Sequence, residues 1–190
     1  MRWGRVEVTG GFLLLLAWIN YCDTQSLFPL AMSAAILHEG GHWAAIRAVN
    51  GRIGLLRLSA VGAEMQVEGT LSYMQELLCA LAGPTVNLLA AFLAARAGWV
   101  LFSGLNLALG VFNLLPVSVL DGGRILNCVT QMLFGPYAGS RLGRGMDVLL
   151  AGLLLLGGTG LLFFGGSVTL LLVAVWLLSR KKERIRLKNI

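Results

Sequence analysis

Leu27-Phe28-Pro29-Leu30-Ala31-Met32-Ser33-Ala34-Ala35-Ile36-Leu37-His38-Glu39-Gly40-Gly41-His42-Trp43-Ala44-Ala45-Ile46-Arg47-Ala48-Val49 reads as a membrane-spanning helix with a polar cluster in its middle. The cluster holds the only two histidines of the chain, four residues apart, with Glu39 beside the first. On a helix, i and i+4 side chains share a face one turn apart, so HExxH aims two imidazoles at one point and sets a carboxylate next to them, the donor arrangement of zinc hydrolases. A single membrane histidine is usually a hydrogen-bonding partner between helices. Two of them with Glu39, inside a segment where ionisable groups are costly, make a functional cluster the better reading. Gly40 and Gly41 each cost roughly 1 kcal/mol relative to alanine in a helix interior, and close approach of a neighbouring helix would offset that.

Composition agrees with a lipid environment. Of 190 residues, 57% are hydrophobic and 13% charged, and the mean hydropathy is +0.78. A soluble domain of this length has no interior large enough for so much apolar surface. The net charge of +6 does not indicate nucleic acid, because the basic residues flank apolar runs instead of forming a patch; they read as topology determinants. Cys22, Cys79 and Cys128 are widely spaced with no CxxC pair, so neither a disulfide framework nor a thiolate zinc site is expected, and they read as free, small apolar fillers.

Apolar segments run from about Val6 to Tyr21, Leu27 to Val49, Tyr73 to Ala95, Gly98 to Val119, and Val148 to Leu178. A span needs about 20 residues, so the last stretch divides in two, with Gly157-Gly158 or Gly165-Gly166 as the turn. The expectation is an all-α integral membrane protein, a single polytopic domain of about six transmembrane helices. With both termini cytoplasmic, Arg2, Arg5, Arg47, Arg52, Arg57, Arg124, Arg141, Arg144 and the tail from Arg180 to Lys188 all lie inside, and Arg96 alone lies outside. That bias is the one cytoplasmic loops carry, and it favours an even number of spans. Phe12 to Ile19 could pass for a signal peptide core, but no small-residue cleavage site follows Tyr21, so the segment is expected to be retained.

One region departs from the helical pattern. Ile53, Leu55, Arg57, Ser59 and Val61 alternate with their neighbours, Gly62 punctuates, and Glu64, Gln66 and Glu68 alternate with Met65 and Val67. This predicts a short β-hairpin-like segment between the second and third spans, Ile53 to Gly69, whose edge could pair with an extended substrate; the plainer reading is a cytoplasmic loop. A catalytic zinc usually has three protein ligands and an open fourth position. With no further histidine and no paired cysteine, the third falls to a carboxylate. Asp121, beside Gly122-Gly123 at the end of an apolar span, is the leading candidate. Glu76 competes, although a carboxylate in the first turn of a helix already complements the helix dipole.

Three elements in order, HExxH, Gly83-Pro84-Thr85-Val86-Asn87, and Asn113 and Pro116 followed by Asp121-Gly122-Gly123, resemble the site-2 proteases, intramembrane zinc metalloproteases. They cover the four central spans, Leu27 to Arg124. The absence of a soluble insert between the metal-binding helices looks most like the sporulation branch of that family, whose stage IV protein FB cleaves a membrane-associated pro-sigma factor. The resemblance implies one Zn2+ per chain held by His38, His42 and Asp121, with Glu39 as catalytic base. It implies that Asn87 contacts or orients substrate near the site, and that Asn113 and Pro116 break the fourth helix so that Asp121 can turn to the metal. Implied partners are a membrane protein substrate, with pro-sigma or anti-sigma factors as candidates, membrane-embedded regulators and the lipid bilayer, but no nucleic acid. The implied location is the bacterial cytoplasmic membrane or the membrane around the forespore. Room for the PDZ or CBS domains of many relatives is lacking. The hairpin region reads Leu58-Ser59-Ala60-Val61-Gly62-Ala63 where sporulation enzymes often have proline and glycine. A non-catalytic membrane scaffold or metal carrier is the alternative of a different class.

Overall fold

The computed structural model describes residues 2–3, 5–24, 26–59 and 62–163. The chain falls into two compact units, Met1–Leu115 and Pro116–Ile190. The first contains strands β1 (Arg2–Trp3) and β2 (Val6–Val8), helices α1 (Gly10–Cys22) and α2 (Phe28–Ala48), strands β3 (Arg52–Ser59) and β4 (Gly62–Glu68), and helices α3 (Tyr73–Arg96) and α4 (Val100–Asn113). The second contains α5 (Asp121–Phe134) and α6 (Pro136–Phe163).

Helix starts follow local chemistry. The Asp23 carboxylate accepts from the backbone N–H groups of Leu27 (2.9 Å) and Phe28 (2.7 Å), covering donors that the first turn of α2 cannot satisfy internally, and Pro29 occupies a position where no N–H is needed. Asn50, with φ of 60°, turns the chain out of α2 toward β3. A capping box opens α3: the Ser72 hydroxyl accepts from the Gln75 N–H, and the Gln75 side-chain oxygen accepts from the Ser72 N–H. Helix α3 runs unbroken through Pro84.

The expected hairpin is present as β3 and β4, paired antiparallel from Arg52↔Glu68 to Ser59↔Gly62, with an irregularity between Ile53 and Leu55. Its outer strand alternates as the sequence does, with Ala63, Met65 and Val67 half-buried and Glu64, Gln66 and Glu68 exposed. The sheet is larger than expected. Val6-Glu7-Val8, read as the start of the first span, is instead a strand lying parallel to Leu56-Arg57-Leu58, with Glu7 and Arg57 3.4 Å apart, giving the order β1-β2-β3-β4. Three residues carry too little periodicity to reveal a strand whose partner is fifty positions away.

A second correction concerns α5. Its polar, glycine-containing sequence is not an apolar run, so a helix was not expected, yet Asp121 begins one. The candidate turn at Gly157-Gly158 is overturned, since α6 continues through it; Gly165-Gly166 and the remainder of the last expected span lie outside the described residues. Six helices are described: α1 to α4 fall on the first four expected spans, α5 is additional, and α6 reaches into the last expected stretch. Among them α3 alone is long and apolar enough to cross a membrane by itself, while α1 and α4 are apolar but shorter. At 1.5 Å per residue they reach about 20 Å, against about 30 Å of hydrocarbon.

Packing in the first unit is inverted relative to a soluble protein. Leu14, Trp18 and Tyr21 on α1, Phe92 on α3 and Val100 on α4 are exposed, whereas Asn87 and Asn106 are 0% exposed. Apart from Ile46, the buried apolar residues of this unit are small, Ala34, Cys79, Ala80, Ala91 and Ala94, as expected where lipid removes the hydrophobic drive and backbones must approach closely. Gly41 is the sharpest case. A Cβ there would come within 2.8 Å of the Ala82 carbonyl oxygen and 3.0 Å of Val86, so α3 packs directly on the backbone of α2. Gly40 differs from the expectation: nothing lies within 4 Å of its Cβ position, and no close packing offsets its conformational cost. Cys79 and Cys128 are buried fillers as expected, but Cys22 is exposed.

Candidate metal centre

Helix α2 places His38 and His42 one turn apart, buried and facing α3. Each ring is gripped at Nδ1. His38 Nδ1 donates to the Asn87 side-chain oxygen at 2.6 Å, and His42 Nδ1 donates to the Cys79 carbonyl at 2.7 Å. A carbonyl oxygen only accepts, so both protons must sit on Nδ1. In the neutral rings both Nε2 atoms then carry lone pairs, and these lie 3.1 Å apart. At that distance the pair is satisfied either by a proton shared between the rings or by a metal ion that takes both lone pairs, so the arrangement fits a metal ion and, with both rings neutral, supplies the oriented imidazoles that zinc needs.

The orientation of Asn87 is itself determined. Its Nδ2 donates to the Ala34 carbonyl (3.0 Å) and to the Asn106 side-chain oxygen (2.8 Å), and the Asn106 Nδ2 donates to the Phe102 carbonyl (2.9 Å). The chain of amides ends on backbone acceptors, so neither asparagine can flip without losing bonds, and the oxygen of Asn87 must face His38. The resemblance placed Asn87 against substrate or in an orienting role. Fully enclosed, it holds His38 through its oxygen while its amide nitrogen donates to Ala34 and Asn106.

Gly83 completes the pocket wall. A Cβ at this position would strike the His42 imidazole, lying 2.6 Å from its Cε1 and 2.9 Å from Cε1 of His38. Gly83 therefore lets α3 pass directly against both rings. Glu39, the expected base, is half-buried on α2. Glu76 lies in the first turn of α3, as the dipole argument expects.

In the second unit Asp121 is the first residue of α5, buried, with Arg124 Nη1 3.8 Å from its carboxylate. The helix break expected ahead of it is present. Helix α4 ends at Asn113, whose side chain donates back to the Leu109 carbonyl at 3.0 Å, and Pro116 lies in the turn that follows. Gly123 is required there, because the Val117 carbonyl occupies the space of its Cβ and Ser118 Cα would be 2.7 Å away. His38 and His42 in the first unit and Asp121 in the second are each buried, and each carries a donor atom that a metal ion can take.

Sequence reasoning missed Asn106, the Cys79 carbonyl and Gly83's contact with the rings. Asn106 was legible in principle, since an amide inside an apolar helix needs a partner. A backbone carbonyl leaves no trace in sequence.

Two neutral imidazoles oriented on a helix beside a glutamate are the donor arrangement found in zinc metallopeptidases. The sequence model of peptidase family M50 matches residues 93–156, the portion containing Asp121. A zinc metalloprotease of Methanocaldococcus jannaschii is 26% identical over 176 residues, 86% of this chain and 50% of the relative, so the chain spans half the length of that protein. The solved site-2 protease from the same organism superposes with a TM-score of 0.67 at 25% identity, over 90% of this chain and 86% of the other. The chain therefore carries a segment that matches peptidase family M50, and it is similar in sequence and fold to a site-2 protease.

Proposed function

We propose that this protein is an intramembrane zinc metalloendopeptidase that cuts a membrane-associated or single-span protein. The observation that carries this reading is the pair of Nδ1–H donations to the Asn87 and Cys79 oxygens, which leaves two imidazole Nε2 lone pairs converging. His38, His42 and Asp121 would hold the ion and Glu39 would serve as base. Zinc, when bound, polarises the scissile carbonyl and lowers the pKa of water from about 16 to about 7. The Glu39 carboxylate accepts the proton of the attacking water and delivers it to the departing amine nitrogen, a transfer its place beside His38 supports. An intact substrate helix hides each carbonyl in an i to i+4 bond, so the substrate must unwind locally. Strand β4 has a described neighbour, β3, on one side, and its other edge is where an extended substrate would replace the lost backbone bonds.

The full topology in this proposal is six spans with both termini cytoplasmic, supported by the distribution of lysine and arginine. A reporter fused after Ile190 should score as cytoplasmic, and an external score would overturn it. Membrane-embedded regulators are proposed as further partners. The closest functional analogy is processing of a pro-sigma factor during sporulation, supported by the resemblance to that branch. Co-expression of the chain with candidate pro-sigma and anti-sigma substrates should yield a cleaved product. In purified, detergent-solubilised protein, a zinc chelator should abolish cleavage and added Zn2+ restore it. Glycine or proline near the scissile bond should raise cleavage, and a run of leucine should lower it. Cleavage that persists after complete removal of the metal would sink the proposal.

A further inference from the structure

The reaction as proposed leaves the carboxylate of Asp147 without a task. Asp147 lies on α6 immediately before the apolar run Val148-Leu149-Leu150-Ala151, where an acidic side chain needs a reason to be. Both its oxygens go to one residue: Oδ1 accepts from the backbone N–H of Ser118 at 2.8 Å, and Oδ2 accepts from the Ser118 hydroxyl at 2.6 Å.

Ser118 belongs to the short loop between Pro116 and Asp121, and that loop has few other anchors. Val117 is buried and its carbonyl fills the space above Gly123 while accepting from the Leu120 N–H at 2.9 Å. Leu120 then enters α5 in an extended conformation, φ −103° and ψ 167°, without a side-chain cap. The direction in which Asp121 leaves the backbone is set by how residues 117–120 are held. One hold is the Gly123 packing, within α5. The other is Asp147, from α6.

We propose that Asp147 is a positioning residue for Asp121: by taking both hydrogen bonds of Ser118 it pins the loop that presents Asp121 to the metal. The proposal rests on Asp121 being a zinc ligand. Ligand placement within about 0.5 Å matters to a metal site, and outer partners of ligands typically contribute 10–100-fold in affinity. The two-point grip also explains an aspartate here. A serine or threonine would reach one of the two Ser118 donors, whereas a carboxylate accepts from both.

The test is zinc affinity by chelator competition on the full chain in detergent, with the absorption spectrum of the Co2+-substituted protein as a second readout of ligand geometry. Asp147→Leu should weaken zinc binding about 10–100-fold and alter the Co2+ spectrum. Asp147→Asn should restore both, because the amide oxygen still accepts from the Ser118 N–H and the amide nitrogen can donate to its hydroxyl. Ser118→Ala, which loses one of the two bonds and leaves the helices intact, should fall between, and it decides the matter if Asp147→Leu does not fold. Wild-type affinity and spectrum in Asp147→Leu, or in Ser118→Ala where that variant decides, would overturn the positioning role. Asp121→Ala separates the two levels. If it weakens zinc binding while the Asp147 and Ser118 variants do not, this inference alone fails, and if it binds zinc like wild type, the ligand assignment fails and takes the inference with it.

Discussion

Replacing Glu39 with glutamine is expected to lower cleavage of a co-expressed membrane substrate by about 10²–10⁴-fold while zinc content stays at the wild-type level. Glutamine keeps the size and shape of the side chain but cannot accept the proton of the attacking water at neutral pH. Glu39 lies on α2 between the two histidines in sequence, and the proposed ligands are His38, His42 and Asp121. The substitution therefore removes the base and leaves the ligands. This asymmetry also separates the protease from a metal carrier built on the same scaffold. Both hold zinc, so zinc content alone says nothing, but a carrier would keep its binding or transport phenotype in the Gln variant. Undiminished cleavage would strip Glu39 of the assigned role.

Alanine at Gly83 should weaken zinc binding by about 5–150-fold, measured by chelator competition. The added Cβ would lie 2.6 Å from His42 Cε1 and 2.9 Å from His38 Cε1, closer than real Cβ contacts come. The rings cannot yield freely, because moving either one stretches its Nδ1 hydrogen bond to Asn87 or to the Cys79 carbonyl. Overpacking of this kind costs about 1–3 kcal/mol, and each 1.4 kcal/mol is about tenfold in affinity. Gly40→Ala is the matched control: with nothing within 4 Å of its Cβ position, it should leave zinc affinity unaltered and stabilise α2 by about 0.8–1 kcal/mol through helix propensity alone. Equal zinc affinity in the Gly83 variant would show that α3 does not set the ring positions.

The elements that were legible in the sequence are those with short-range signatures. HExxH within a helical run needs only the 3.6-residue repeat to bring two imidazoles to one face, and the alternation of Glu64, Gln66 and Glu68 with Met65 and Val67 needs only the pleat. The break between Asn113 and Asp121 was expected from the family resemblance alone. The errors arose where a partner distant in sequence decided the outcome. Val6-Glu7-Val8 became a strand because Leu56-Arg57-Leu58 offered it a parallel edge. Helix α5 formed from a segment too polar to count as an apolar run.

By itself the sequence determined the donor chemistry, two imidazoles and a neighbouring carboxylate in an apolar helix, because residue identity and helical spacing are local quantities. Only the tertiary structure decided how those donors are held. Which ring nitrogen carries the proton depends on the Cys79 carbonyl and on an amide relay from Phe102 through Asn106 and Asn87, and that relay exists only when α2, α3 and α4 are packed. Hydrogen bonds are directional over about 3 Å, so no pattern along the chain can encode a partner that the fold alone brings within that reach.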